Sequence, residues 1–248
     1  MKRDQKIRIP YALSVYDQKE ISAVSDVLKN HKSILGKNTL NFEAKVSKLF
    51  QKKYGIMVNS GSSANLITVE LLNLPKGSEV ITPALTFSTT VAPILQKGLK
   101  PVFIDVELGT YVINPSLVDT FLTKNTKAFI VPSLIGSVPN LPLLHNIAKK
   151  ENIKLVEDSC DTIGATINGR STGAYSDIST TSFYGSHIIT AAGGGGMVCV
   201  NDEQLNKRAR VLRGWGRSSA INETENIKDR YNMRIDNFPY DSKFFKPV

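Results

Sequence analysis

The run Ser182-Phe183-Tyr184-Gly185-Ser186-His187-Ile188-Ile189-Thr190, continuing through Gly193-Gly194-Gly195-Gly196 into Met197-Val198, decides how the rest of the chain is read. A β-type segment from Ile178 to Phe183 breaks into a serine- and glycine-bearing turn that presents one histidine. The chain then re-enters a strand at Met197-Val198-Cys199-Val200. A histidine on a loop between two buried strands is held in place, and its ordinary pKa near neutrality suits proton transfer. A histidine in such a loop can also do no more than bond a carbonyl. These residues alone leave both readings open.

Upstream of this run, β and α patterns alternate. A short apolar strand, Ile56-Met57-Val58, meets Asn59-Ser60-Gly61-Ser62-Ser63, which opens a helix from Ala64 to about Leu72. A Gly/Ser turn at a helix start offers free N–H groups and hydroxyls at the positive end of the dipole, where phosphates bind. Serine and glycine are equally ordinary caps. Strand Glu79-Val80-Ile81 leads to residues 82–88, which carry Phe87, read from the residues alone as a core side chain. A helix to about Gln96, a strand over 101–106, a helix near 115–122, a strand over 127–131 and a helix over 141–150 follow. Strand Lys154-Leu155-Val156 ends in Glu157-Asp158-Ser159-Cys160-Asp161. Acids at the C-terminal end of a buried parallel strand lie where open α/β sheets bind ligands, or else cap the next helix. A further helix spans about 203–212. The pattern predicts a three-layer α/β/α fold with a mostly parallel sheet.

Taken together, SFYGSH…IT…GGGMV resembles the active-site loop of the DegT/StrS sugar-aminotransferase family of fold-type-I PLP enzymes, of which this chain would be the large domain. In that family a lysine in this loop binds PLP covalently; here His187 stands at its place. The substitution resembles the subgroup of sugar 3-dehydratases that act on nucleotide-linked 4-keto-6-deoxyhexoses. Gly193 stands near the family's glutamate, and the loop is one residue longer before Met197. The resemblance implies PLP or PMP as cofactor and His187 as the catalytic base. It also implies Ser62, Ser63 and Ser182 on the cofactor phosphate, Phe87 stacked on the pyridine face, and Asp158 on the pyridine nitrogen. Asp161 would lie near the cofactor hydroxyl. In the implied reaction the PMP amine condenses with the C4 ketone, His187 takes a proton, and the C3 hydroxyl leaves. Arg213-Gly214-Trp215-Gly216-Arg217 and Phe238-Pro239-Tyr240-Asp241-Ser242-Lys243 also resemble the dehydratases. Ser218–Asn222 holds no cysteine, so the iron–sulfur centre of some of those enzymes cannot form there. The alternatives are an aminotransferase relative without its lysine and an inactive, cofactor-binding remnant.

The resemblance further implies that residues 1–248 are one cofactor-binding domain with N-terminal helices, the family's smaller C-terminal domain being absent, and that the full-length protein forms a homodimer. At 248 residues the chain can bury a substantial core. Its formal charge of +9 comes from scattered lysines without aromatic interleaving, which argues against nucleic acid and is compatible with a basic cleft for a nucleotide diphosphate. No apolar run approaches a membrane span, and the N-terminus lacks an apolar signal segment. The two cysteines, Cys160 and Cys199, fit a reducing cytoplasm. His31 and His145 have no ligand-type neighbours for a metal. Two amphipathic helices are expected over 17–30 and 42–54. Their apolar stripes (Ile21, Val24, Leu28; Phe42, Val46, Leu49, Phe50) are read as core.

Overall fold

The structure, a computed structural model, describes residues 9–10, 12–31, 35–217 and 220–221. In chain order the elements are α1 (Gln18–Lys29), α2 (Lys37–Leu49), β1 (Tyr54–Val58), α3 (Gly61–Leu72), β2 (Glu79–Pro83), α4 (Ser88–Gln96) and β3 (Lys100–Ile104). After them come α5 (Val118–Phe121), β4 (Thr126–Pro132), α6 (Leu141–Lys150), β5 (Lys154–Asp158), β6 (Thr166–Ile167), β7 (Arg170–Ser171), β8 (Ile178–Ser182), β9 (Gly196–Val200) and α7 (Glu203–Arg213).

A seven-stranded sheet in the order β1-β9-β8-β5-β4-β2-β3 forms the centre. From β8 to β3 every neighbouring pair is parallel, and β9 runs antiparallel to both β8 and β1. The fold is therefore the expected three-layer one. Strands buried on both faces read as continuous apolar runs, as β4 does with Ala128, Phe129, Ile130 and Val131. Alternation divides them: Ala128 and Ile130 join the cluster holding Ala64, Val69 and Ala209, whereas Phe129 and Val131 join Leu141, Leu144 and Ala148. One layer is thus built on α3 and α7 and the other on α6.

The same alternation sends the last two residues of β5 to opposite faces. Asp158 falls on the α3 side with Val156, and Glu157 on the other side near Lys52 and Cys199. Glu157 is fully buried, with both carboxyl oxygens lacking a well-formed hydrogen bond. The Ser179 and Thr172 hydroxyls lie nearest, and the Lys52 ammonium instead donates to the Ser176 carbonyl. Burial first, only partly offset by Ser179 and Lys52, raises the Glu157 pKa to about 7. A carboxyl whose pKa is higher folded than unfolded binds more protons in the folded state. Its contribution to stability is present at acid pH and is lost as pH rises to about 7. Glu157→Gln is accordingly expected to gain stability relative to the unaltered protein as pH rises from 5 to 8, by up to about 3 kcal/mol at about 1.4 kcal/mol per pKa unit. Thermal unfolding of both proteins across that range checks this. A difference that is flat with pH would remove the burial effect.

Three expectations about elements need correction. The α1 stripe is not core. The helix forms where the spacing puts it, with a capping box between Asp17 and Glu20, but it buries no residue, and Ile21, Val24 and Leu28 are exposed. The second helix lies about five residues earlier than expected, because Gln51 turns left-handed (φ 50°) and Tyr54 already pairs with Val200. Val46 and Phe50 are buried as expected, while Leu49 is exposed. Residues 115–122 split into a 3₁₀ turn, Pro115–Leu117, followed by the single turn of α5.

Candidate active site

The β1–α3 turn lies at the sheet edge where β5 and β8 also end. The Ser60 hydroxyl caps α3 by accepting the Ser63 N–H at 3.1 Å, and it donates to Ser63 Oγ at 3.1 Å. The first-turn N–H groups of a helix have no intrahelical carbonyl to bond, so Gly61 and Ser62 present donors beyond the cap. The Ser62 hydroxyl donates to Thr89 Oγ1 at 3.1 Å. Gly61 is required by close approach. A Cβ there would stand 2.7 Å from both Cys160 Sγ and Ser182 Cβ, so Ser182 sits directly against the helix start. Gly196 is similar, since a Cβ would stand 2.2 Å from the Ser60 carbonyl oxygen. Ser62, Ser63 and Ser182 are thereby gathered at one helix N-terminus, the arrangement that binds a phosphate.

Asp158 ends β5 and is 5% exposed. Its Oδ2 accepts from Asn65 Nδ2 at 2.8 Å and from Thr90 Oγ1 at 2.9 Å, and Oδ1 accepts the Cys160 N–H at 3.2 Å. Burial and the adjacent Asp158 push the Cys160 thiol pKa well up, so the thiol stays protonated beside the carboxylate. Among the described residues the hydrogen-bonding partners of Asp158 are neutral donors. A carboxylate in that setting is suited to one further, cationic partner.

The loop between β8 and β9 carries His187. Its Nε2 lies 3.5 Å from Asp161 Oδ1, while Asp161 Oδ2 accepts the Ile135 N–H at 3.0 Å. Its Nδ1 is buried without a hydrogen-bond partner. Tyr184 meets the imidazole edge-on, with ring centroids 6.0 Å apart. The loop closes back on the helix start, Gly194 standing next to the Asn59 carbonyl. Ser14 lies over Gly185, bringing the N-terminal segment to the loop. The expectation for Asp161 thus gains a specific partner, the imidazole of His187. Phe87, just before α4, is 66% exposed and is no part of the core, so its ring is free to cover a flat ligand.

Sequence reasoning overlooked Asn65, Thr90 and Thr180, which pair only through the fold. Trp215 lies past the end of α7, 83% exposed and left-handed (φ 60°), with the Arg217 guanidinium 5.0 Å over its ring. The stretch Phe238–Lys243 lies outside the described residues. Among the described residues no cluster of His, Cys, Asp and Glu could hold a metal.

Known proteins resemble this chain in sequence and in fold. A dTDP-4-dehydro-2,6-dideoxy-D-glucose 3-dehydratase of Saccharopolyspora spinosa is 36% identical over 245 residues, covering 93% of this chain and 52% of its own length. A UDP-N-acetyl-3-dehydro-alpha-D-glucosamine 3-aminotransferase of Acidithiobacillus ferrooxidans is 34% identical, covering 79% of this chain and 53% of its own. The solved E. coli GDP-4-keto-6-deoxy-D-mannose-3-dehydratase with bound hydrated PLP superposes with a TM-score of 0.76 at 33% identity, over 83% of this chain and 54% of that one. The chain therefore spans about half the length of these relatives. Residues 15–239 match the family described as the DegT/DnrJ/EryC1/StrS aminotransferase family, and the chain belongs to it.

Proposed function

We propose that the protein binds PLP or PMP and removes the C3 hydroxyl of a nucleotide-linked 4-keto-6-deoxyhexose. The observation that carries this reading is His187, poised with Asp161 on a loop that contains no lysine, beside the serine cradle. The residues present fit the cofactor. Three serines and a helix start supply neutral donors for a phosphate, and the buried Asp158, ringed by neutral donors, suits a protonated ring nitrogen. When bound as PMP, the cofactor supplies an amine that condenses with ketones and a ring that accepts electrons.

Every other part of the work falls to side chains. Asp158 holds the pyridine nitrogen protonated, and Phe87 covers the ring. Ser62, Ser63 and Ser182 fix the phosphate end. Asp161 faces Nε2 of His187 and so orients the imidazole on its loop as the base. Histidine serves as a base without forming the lasting covalent link to the cofactor that a lysine would make. The aminotransferase reading draws on the Acidithiobacillus relative and provides no role for a histidine at this place. We also take residues 1–248 as one cofactor-binding domain and the full-length protein as a homodimer, the exposed apolar face of α1 being one surface suited to contact. The test is turnover of a nucleotide-linked 4-keto-6-deoxyhexose with PMP. Loss of the C3 hydroxyl supports the proposal, and amination of the sugar contradicts it.

A further inference from the structure

The carboxylate of Asp158 is fixed by side chains from three other elements. Asn65 comes from α3, Thr90 from α4 and Thr180 from β8, and like Asp158 itself all three are buried. Asn65 Nδ2 and Thr90 Oγ1 both donate to Oδ2. An ionised carboxylate only accepts, so the amide of Asn65 must turn its NH₂ towards Asp158 and its carbonyl away. That carbonyl accepts from Thr180 Oγ1 at 2.8 Å. On the other branch, Thr86 Oγ1 donates to Thr90 Oγ1 at 3.0 Å, which leaves the Thr90 proton for Asp158. The whole chain of bonds therefore points its donors one way, towards a single carboxylate oxygen.

We infer that Asn65 and Thr90 are positioning residues for the cofactor: they pin Oδ2 so that Asp158 meets the ring nitrogen in one fixed, ionised orientation, and Thr180 acts through Asn65. The inference rests on the reading of Asp158 as the partner of that nitrogen. Buried networks of this kind are strong when every member is satisfied and costly when one is removed. Losing a hydrogen bond to a charged group is expected to weaken PLP binding by about 10- to 100-fold.

The test is a PLP titration of the protein, followed by absorbance, with folding checked by circular dichroism and melting temperature. Asn65→Ala and Thr90→Val are expected to raise the PLP dissociation constant by about 10- to 100-fold and to make the bound-PLP spectrum pH-dependent. Thr90→Ser keeps the hydroxyl and is expected to restore both. Thr180→Val alone should weaken binding several-fold, and adding it to Asn65→Ala should cost nothing more, because its partner is already gone. Lower melting temperatures with unchanged PLP affinity and spectrum would reduce these residues to structural ones and overturn the inference. Additive losses in the double variant would overturn the link through Asn65. Asp158→Asn run alongside separates the two levels. If it leaves PLP binding and spectrum intact, the reading of Asp158 itself fails; if it weakens binding while Asn65→Ala and Thr90→Val do not, only the positioning role fails.

Discussion

Changing His187 to asparagine is expected to lower C3 deoxygenation by about 10²–10⁴-fold, the usual cost of losing a general base, while PMP affinity stays nearly unchanged. The geometry gives the reason for the split. His187 touches Asp161 and Tyr184, and neither the serine cradle at the start of α3 nor the donors around Asp158 depend on it. An amide is close to the imidazole in size but has no proton-accepting nitrogen, so the loop can keep its course while the base disappears. Rate and affinity measured on the same preparation check this. Equal losses in both would mean that His187 mainly supports the loop.

Asp158→Asn is expected to lower turnover by about 10²–10³-fold, the scale seen when one electrostatic stabiliser is removed from a reacting group, and to weaken cofactor binding as well. The surrounding donors dictate how the new amide would sit. Asn65 Nδ2 and Thr90 Oγ1 both point at the Oδ2 position, so the amide carbonyl must take that place. Its NH₂ then falls where Oδ1 was, against the Cys160 N–H and in the place that should accept from a protonated nitrogen. A donor there favours the unprotonated ring, which is a poor electron sink. Steady-state rates together with the absorbance of bound cofactor check this, and unchanged turnover would remove Asp158 from the mechanism.

The layers of the fold could be read from the chain because alternating apolar strands and amphipathic helices are local patterns. The expected helix over 141–150 is α6, which Asn140 caps and which has Pro142 in its first turn. What failed was whatever depends on partners distant in sequence. Nothing in the spacing of Ile21, Val24 and Leu28 says whether a second surface covers them, and none does among the described residues. The hairpin of β6 and β7 turns at Asn168-Gly169, both left-handed, and carries a strong local signal that was passed over. In the site, Ser62, Ser63, Phe87, Asp158, Asp161, Ser182 and His187 were singled out by motif. The bond from Thr180 to Asn65 spans 115 positions and had no motif to announce it. Asp161 was expected near a cofactor oxygen, whereas only the fold could show that the β8–β9 loop carries His187 to within 3.5 Å of it.

The most direct measurement is the chemical identity of the sugar that leaves the unaltered protein when it is given PMP and a nucleotide-linked 4-keto-6-deoxyhexose. With a histidine in the loop, the account predicts a product whose C3 has lost its hydroxyl, seen by mass spectrometry and by the new CH₂ signal in NMR. It also predicts no accumulation of sugar carrying an amino group. A product that keeps its C3 hydroxyl and gains nitrogen would contradict the account.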